Sequence, residues 1–285
     1  MRSVVDLPRR DGALAAALEP LGGAAGRVNL GGLNPPAAAL LLASLLDRAR
    51  GGKLILLVPG EKEAEPFRSD LTFALSALRS GGRVLSFPSL EADPYQELEP
   101  HLSVACERVQ ALRALREPGE AIVVAPSRAL IYPLAPPAIF DVYRFDLSQG
   151  QALRPDDLSE YLLGAGYLRT DLVSGMGEFS RRGGIIDFFP PQAAGAVRVE
   201  FWGEEVESLR AFDPQTQRST ARLERATIPP VREYPWDAAA LEGLQAALRG
   251  RQGRRREAGA TAALLAAPDE LALRLEALAA GRTFP

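Results

Sequence analysis

Two short runs of apolar residues, Lys53-Leu54-Ile55-Leu56-Leu57-Val58 and Ala121-Ile122-Val123-Val124-Ala125, constrain this chain more than any other feature. A strand that is apolar at consecutive positions has no side left for water, so such runs belong to parallel sheets covered by helices on both faces. The intervening sequence fits that arrangement. Helical spacing runs over Pro35 to Arg50, Glu63 to Ser80 and Ser103 to Arg116, and Arg83-Val84-Leu85-Ser86-Phe87 reads as a further strand. Upstream, Ala13 to Glu19 reads as a short helix stopped by Pro20, and Arg27-Val28-Asn29-Leu30 as a short strand. Strands alternating with helices predict βαβ units and an α/β scaffold with a parallel sheet.

The pattern changes around Pro133-Leu134-Ala135-Pro136-Pro137. After a helix over Arg154 to Gly164 come strand signals at Gly183 to Phe189, Ala196 to Trp202 and Glu205 to Phe212. Val197-Arg198-Val199-Glu200-Phe201 alternates apolar and charged residues, the mark of a strand with one buried and one wet face. This predicts an inserted α+β domain with an antiparallel sheet. From Ile228-Pro229-Pro230 the chain returns to Ala/Leu helices, Ala238 to Leu248 and Asp269 to Ala280, separated by the arginine-rich run Arg249 to Arg256. That run reads as a solvated linker, with direct DNA contact as the weaker alternative. The expected division is a scaffold over 1–129, an inserted domain over 130–228 and a helical return over 229–285.

Residue counts narrow the chemistry. Of 33 cationic side chains only Lys53 and Lys62 are lysines. One cysteine, Cys106, and one histidine, His101, exclude a disulfide, a Cys-pair zinc site and a multi-histidine metal centre. No Gly-x-Ser-x-Gly elbow accompanies His101, so no catalytic triad is expected. A net charge of −3 argues against a general nucleic-acid binder. No long apolar run and no signal-peptide core are present, which leads to the expectation of a cytoplasmic protein without membrane attachment.

A parallel scaffold of this kind invites a phosphate loop, and Asn29-Leu30-Gly31-Gly32-Leu33-Asn34-Pro35-Pro36-Ala37 occupies its place. A working loop needs backbone amides around the phosphates, a lysine on them and a Ser or Thr on magnesium. Prolines have no amide hydrogen, and no lysine is near this loop in sequence. No aspartate–glutamate pair follows a buried strand as a magnesium-binding element does. The expected scaffold is therefore NTPase-like with a degenerate phosphate loop, without catalysis, cofactor or metal.

The densest motifs lie between Gly166 and Arg218: Gly166-Tyr167-Leu168-Arg169, Gly177-Glu178-Phe179-Ser180-Arg181-Arg182-Gly183-Gly184-Ile185-Ile186-Asp187-Phe188-Phe189-Pro190, Val197 through Arg210, and Phe212-Asp213-Pro214-Gln215-Thr216-Gln217-Arg218-Ser219. Arginines beside carboxylates, with Trp202 as a large aromatic, suit a polar protein interface better than catalysis. In order and spacing these runs resemble the N-terminal UvrB-like module of the bacterial transcription-repair coupling factor (Mfd) family. The resemblance extends upstream through Leu90-Glu91-Ala92-Asp93-Pro94-Tyr95-Gln96, Glu107-Arg108 and the Gly31-Gly32-Leu33 turn, and covers about residues 25 to 235.

The resemblance implies an adaptor that recruits UvrA, through a UvrB domain 2-like sheet, to stalled RNA polymerase in transcription-coupled nucleotide excision repair. Carried over by position, the UvrA-binding residues are Arg182, Arg198 and Trp202, with Glu200 on the same strand face as Arg198, and Arg169 and Arg181 as weaker candidates. Contacts to RNA polymerase and DNA, and the ATP- and magnesium-dependent translocase, are expected in parts of the full-length protein outside this chain. The alternative is a UvrB-like ATP-dependent DNA-damage-processing helicase domain; UvrB carries an intact phosphate loop, which is missing here.

Overall fold

The computed structural model describes residues 28–48, 51–90, 100–131, 133–134, 137, 144–191 and 195–233. The readings at Ala13 to Glu19, Ala238 to Leu248, Arg249 to Arg256 and Asp269 to Ala280 lie outside the described residues, as does most of Leu90 to Gln96. The chain divides into two compact units, Met1–Leu90 with Gln110–Leu134, and Glu91–Val109 with Ala135–Pro285.

The first unit holds α1 (Pro35–Arg48), β1 (Lys53–Val58), α2 (Glu61–Ala77), β2 (Arg83–Ser86), the C-terminal part of α3 (Leu102–Arg116) and β3 (Ala121–Pro126). The three strands form a parallel sheet in the order β1-β3-β2, with Lys53 and Arg83 both level with Ala121. One face carries Leu54, Leu56, Val58, Ile122 and Val124 against Ala39, Ala43 and Leu46 of α1 and Leu71 and Leu75 of α2. The other carries Val123 and Ala125 with Leu85 and Phe87, packed on Ala111, Leu112 and Leu115 of α3. Central β3 is buried at every position, as its apolar run requires.

β1 departs from expectation. Ile55 and Leu57 are 58% and 54% exposed, although the run was read as a strand buried on both sides. The strand order explains it: β1 is an edge, and the α3 residues of that face pack with β2 and β3 residues. Val28 to Leu30, read as strand, form none. Ahead of α1, Asn34 accepts the Ala37 amide on its side-chain Oδ1 at 3.0 Å and the Ala38 amide on its backbone oxygen at 3.0 Å. Helix α1 opens with Pro35 and Pro36, which have no amides to offer.

The second unit is built on a six-stranded sheet. Its strands are β5 (Leu168–Arg169), β6 (Glu178–Arg182), β7 (Ile185–Phe188), β8 (Ala196–Trp202), β9 (Glu205–Phe212) and β10 (Ser219–Leu223), in the order β10-β9-β8-β7-β6-β5. Only β5 pairs parallel to its neighbour; the rest are antiparallel. A second, two-stranded pairing joins β4 (Phe145–Ser148) to β11 (Arg225–Ile228). The pairing strands β4, β5, β6, β10 and β11 carry no strand assignment from sequence, because short strands with mixed faces give little periodicity.

The core of this unit covers one face of the large sheet. Phe179, Ile186, Phe188, Val197, Val199, Phe201, Val206 and Leu209 pack with Leu158 and Leu162 of α4 (Pro155–Gly164) and with Cys106 of α3. Burial pushes the Cys106 thiol up to about 12, so it is an uncharged packing group at physiological pH. Gly177 lies at φ +83°, and a Cβ there would meet Leu102 Cγ at 2.9 Å and Cys106 Sγ at 3.0 Å. Both the backbone and the space select glycine at this position of the Gly-Glu-Phe run. Buried Arg108 pairs with buried Glu233, which neutralises a cation that the core could not hold alone.

Candidate functional site

Alternation along the six-stranded sheet puts most of its charged residues on the side away from that core. From the pairing register, Ser180, Asp187, Arg198, Arg210 and Arg222 form one row across β6 to β10, and Arg182, Ile185, Glu200 and Ser208 form the row beside it. Trp202 and Glu205 follow at the same end. The carriers of the site are thus the positions that the apolar face leaves over.

Two tight hairpins shape this end of the sheet. Arg182 pairs with Ile185 across Gly183-Gly184, and Trp202 pairs with Glu205 across Gly203-Glu204. The first turn residues, Gly183 at φ +60° and Gly203 at φ +62°, adopt the left-handed conformation such turns require. Between Glu200 and Phe201 the β8–β9 register shifts, leaving Glu207 as an extra residue on β9. A bulge of this kind re-aims neighbouring side chains. Trp202 ends 80% exposed, a large aromatic in water with nothing in its own chain to cover it among the described residues.

The centre of the face is Asp187, which is only 1% exposed. Arg198 donates to it twice, from Nε to Oδ1 at 2.7 Å and from Nη2 to Oδ2 at 2.8 Å. Arg182 adds a third bond from Nη2 to Oδ2 at 3.0 Å. The hydrogen bond that Arg198 donates to Asp187 holds its guanidinium above the ordinary arginine range, so it stays charged. Arg198 also lies 4.8 Å from the centroid of the Phe212 ring, a cation–π geometry. Beside this cluster, Ser208 donates to Glu200 Oε2 at 2.6 Å, and Arg210 approaches the same oxygen at 3.5 Å.

Arg182, Arg198, Glu200 and Trp202, selected from sequence, therefore share one face. The other two do not. Arg181 points to the core side, level with Ile186, and pairs with Asp156 of α4, whose carboxyl it holds below the usual carboxylate range. Arg169 is exposed on β5, level with Phe179. Arg198 itself has a side chain only 17% exposed against 53% for Arg182. Its chief role is to neutralise Asp187 and fix the presentation of Arg182. Asp187, read from sequence as a core or turn position, is buried yet is the acceptor on which both arginines converge. Arg210 and Ser208 were also missed. The period-2 pattern over Val206 to Phe212 is blurred by the extra Glu207, which hides the face on which they fall.

Residues 145–234, which contain the whole of this face, match the family described as UvrB interaction domain. Over 213 residues the chain is 35% identical to a transcription-repair-coupling factor of Myxococcus xanthus, covering 73% of this chain and 17% of that protein. It is 28% identical over 213 residues to the factor of Escherichia coli (strain K12), covering 75% and 18%. With the factor of Mycobacterium tuberculosis it shares 34% identity over 201 residues, covering 68% and 16%. The chain is a homologue of the transcription-repair coupling factors. It spans under a fifth of the length of these relatives. Among the described residues no group of three or more His, Cys, Asp and Glu could hold a metal ion, and no helix is long and apolar enough to cross a membrane.

Proposed function

We propose that the charged face of the six-stranded sheet binds UvrA, and that the chain acts as the recruiting module of a transcription-repair coupling factor with no chemistry of its own. The observation that carries this is the convergence of Arg182, Glu200 and exposed Trp202 beside the two hairpin turns, inside the stretch that matches the UvrB interaction domain. Arginine and tryptophan are the residue types that most often supply the large binding terms in protein interfaces. The buried Asp187 supports the same reading, since it pre-orders the arginines and lowers the ordering cost of association. Engagement of RNA polymerase and DNA, and ATP-driven translocation, fall on this reading to other parts of a full-length factor.

The first unit is proposed to be an NTPase-like scaffold that does not take nucleotide. Supporting this, the α1 amide at Ala37 is already satisfied by Asn34, Pro35 and Pro36 offer none, and Lys53 spends its ammonium on the Ala114 carbonyl at 2.7 Å. The competing reading, a UvrB-like ATP-dependent helicase domain, requires the opposite.

Titration of the whole chain with UvrA tests the proposal. Arg182→Ala is expected to weaken binding about tenfold or more. No binding by the wild-type chain, or an unchanged Kd for Arg182→Ala, contradicts it. Micromolar ATP affinity would overturn the scaffold part separately.

A further inference from the structure

The row that starts at Ser180 and Asp187 continues through Arg198, Arg210 and Arg222, three arginines directly opposite one another on three adjacent strands. Like charges facing each other across neighbouring strands destabilise a sheet. Arg198 is neutralised by Asp187, but the balance fades outward. Arg210 donates from Nε to Ser208 Oγ at 3.4 Å, and the carboxylate it approaches, Glu200 Oε2 at 3.5 Å, already accepts from Ser208. Arg222 is exposed on β10 and has no ion pair among the described residues.

We propose that the binding face extends across β9 and β10 through Arg210 and Arg222, and that the protein surface docking there presents carboxylates to these two arginines. The proposal rests on the reading of this face as the UvrA site and adds to it residues and a partner chemistry. The occupant is a protein surface of mixed charge that places its carboxylates opposite Arg210 and Arg222, not nucleic acid. The same face carries Glu200 and Glu205 beside exposed Trp202, and carboxylates placed there repel a phosphate backbone while fitting a mixed polar interface. Arg182 and Trp202 lie at the hairpin end, so Arg210 and Arg222 widen the footprint across the strands.

Charge reversal in the intact chain tests this. Arg222→Glu changes an exposed side chain on β10 and leaves the core untouched, so it is expected to fold as wild type. It should raise the Kd for UvrA roughly five- to tenfold at low salt and flatten the salt dependence of binding. Arg210→Gln should act in the same direction and by less, since Glu200 partly balances it. Lys62→Glu, an equal reversal on α2 of the other unit, should leave the Kd unchanged. If Arg182→Ala weakens UvrA binding while Arg222→Glu does not, the extension is wrong and the site itself stands. If the wild-type chain does not bind UvrA, both fall together. If Arg222→Glu abolishes binding to a DNA duplex and spares UvrA, the occupant is nucleic acid and the proposal is overturned.

Discussion

The two larger sheets of this protein use their side chains differently. In the three-stranded parallel sheet both sides of the central strand are buried, and the polar groups near it are consumed locally: Asn34 by the first amides of α1, Lys53 by a carbonyl. In the six-stranded sheet the main core takes one side, and on the other Ala196 and Phe212 are buried with Val173 in a small cluster. The rest of that side is free to carry Arg182, Arg198, Glu200, Arg210 and Trp202. A strand buried on both sides has no position left for recognition, whereas an alternating strand presents one such position every second residue. The charged cluster of this protein thus lies on the alternating strands of the six-stranded sheet.

That contrast can be broken at its weakest assumption, that a polar residue on the recognition side also holds the fold. Asp187→Ala removes the carboxylate shared by Arg182 and Arg198 and leaves the largely buried Arg198 guanidinium without its partner. It should cost about 3 kcal/mol or more in urea unfolding, the largest effect of any change on this face. A loss below about 1 kcal/mol would mean that the arginines are ordered by something else. Next in size is Gly177→Ala on the core side. The new methyl meets Leu102 and Cys106 in a backbone conformation that disfavours it, so a loss of about 1–3 kcal/mol is expected. Alkylation of the Cys106 thiol should speed up in parallel, because the wild-type thiol is buried and held protonated. Unchanged stability and labelling would show that α3 does not bear on Gly177 as described.

Much of this was legible in the residues, for physical reasons that also mark where legibility stops. The parallel strands and their helices were found because long apolar periods are local signals. The exposure of Ile55 and Leu57 was not, since being an edge strand depends on a pairing order set by residues far apart in sequence. On the six-stranded sheet, alternation in Val197 to Phe201 placed Arg198 and Glu200 on one side correctly. It could not choose between Arg181 and Arg182. That choice is made by the Gly183-Gly184 turn, which sets Arg182 opposite Ile185, and by the β7–β8 register, which sets Ile185 opposite Glu200. The same register brings Asp187 to Arg198 across a loop whose length no local pattern fixes.

The most direct measurement takes Trp202→Ala and reads two quantities on the same sample, the urea unfolding curve and the Kd for UvrA. With the indole 80% exposed and outside the core, unfolding should match wild type within about 0.5 kcal/mol. The affinity for UvrA should fall about tenfold or more. A Kd equal to wild type, or a loss of binding that only follows a loss of folding, would contradict the division of this sheet into a side that folds and a side that recruits.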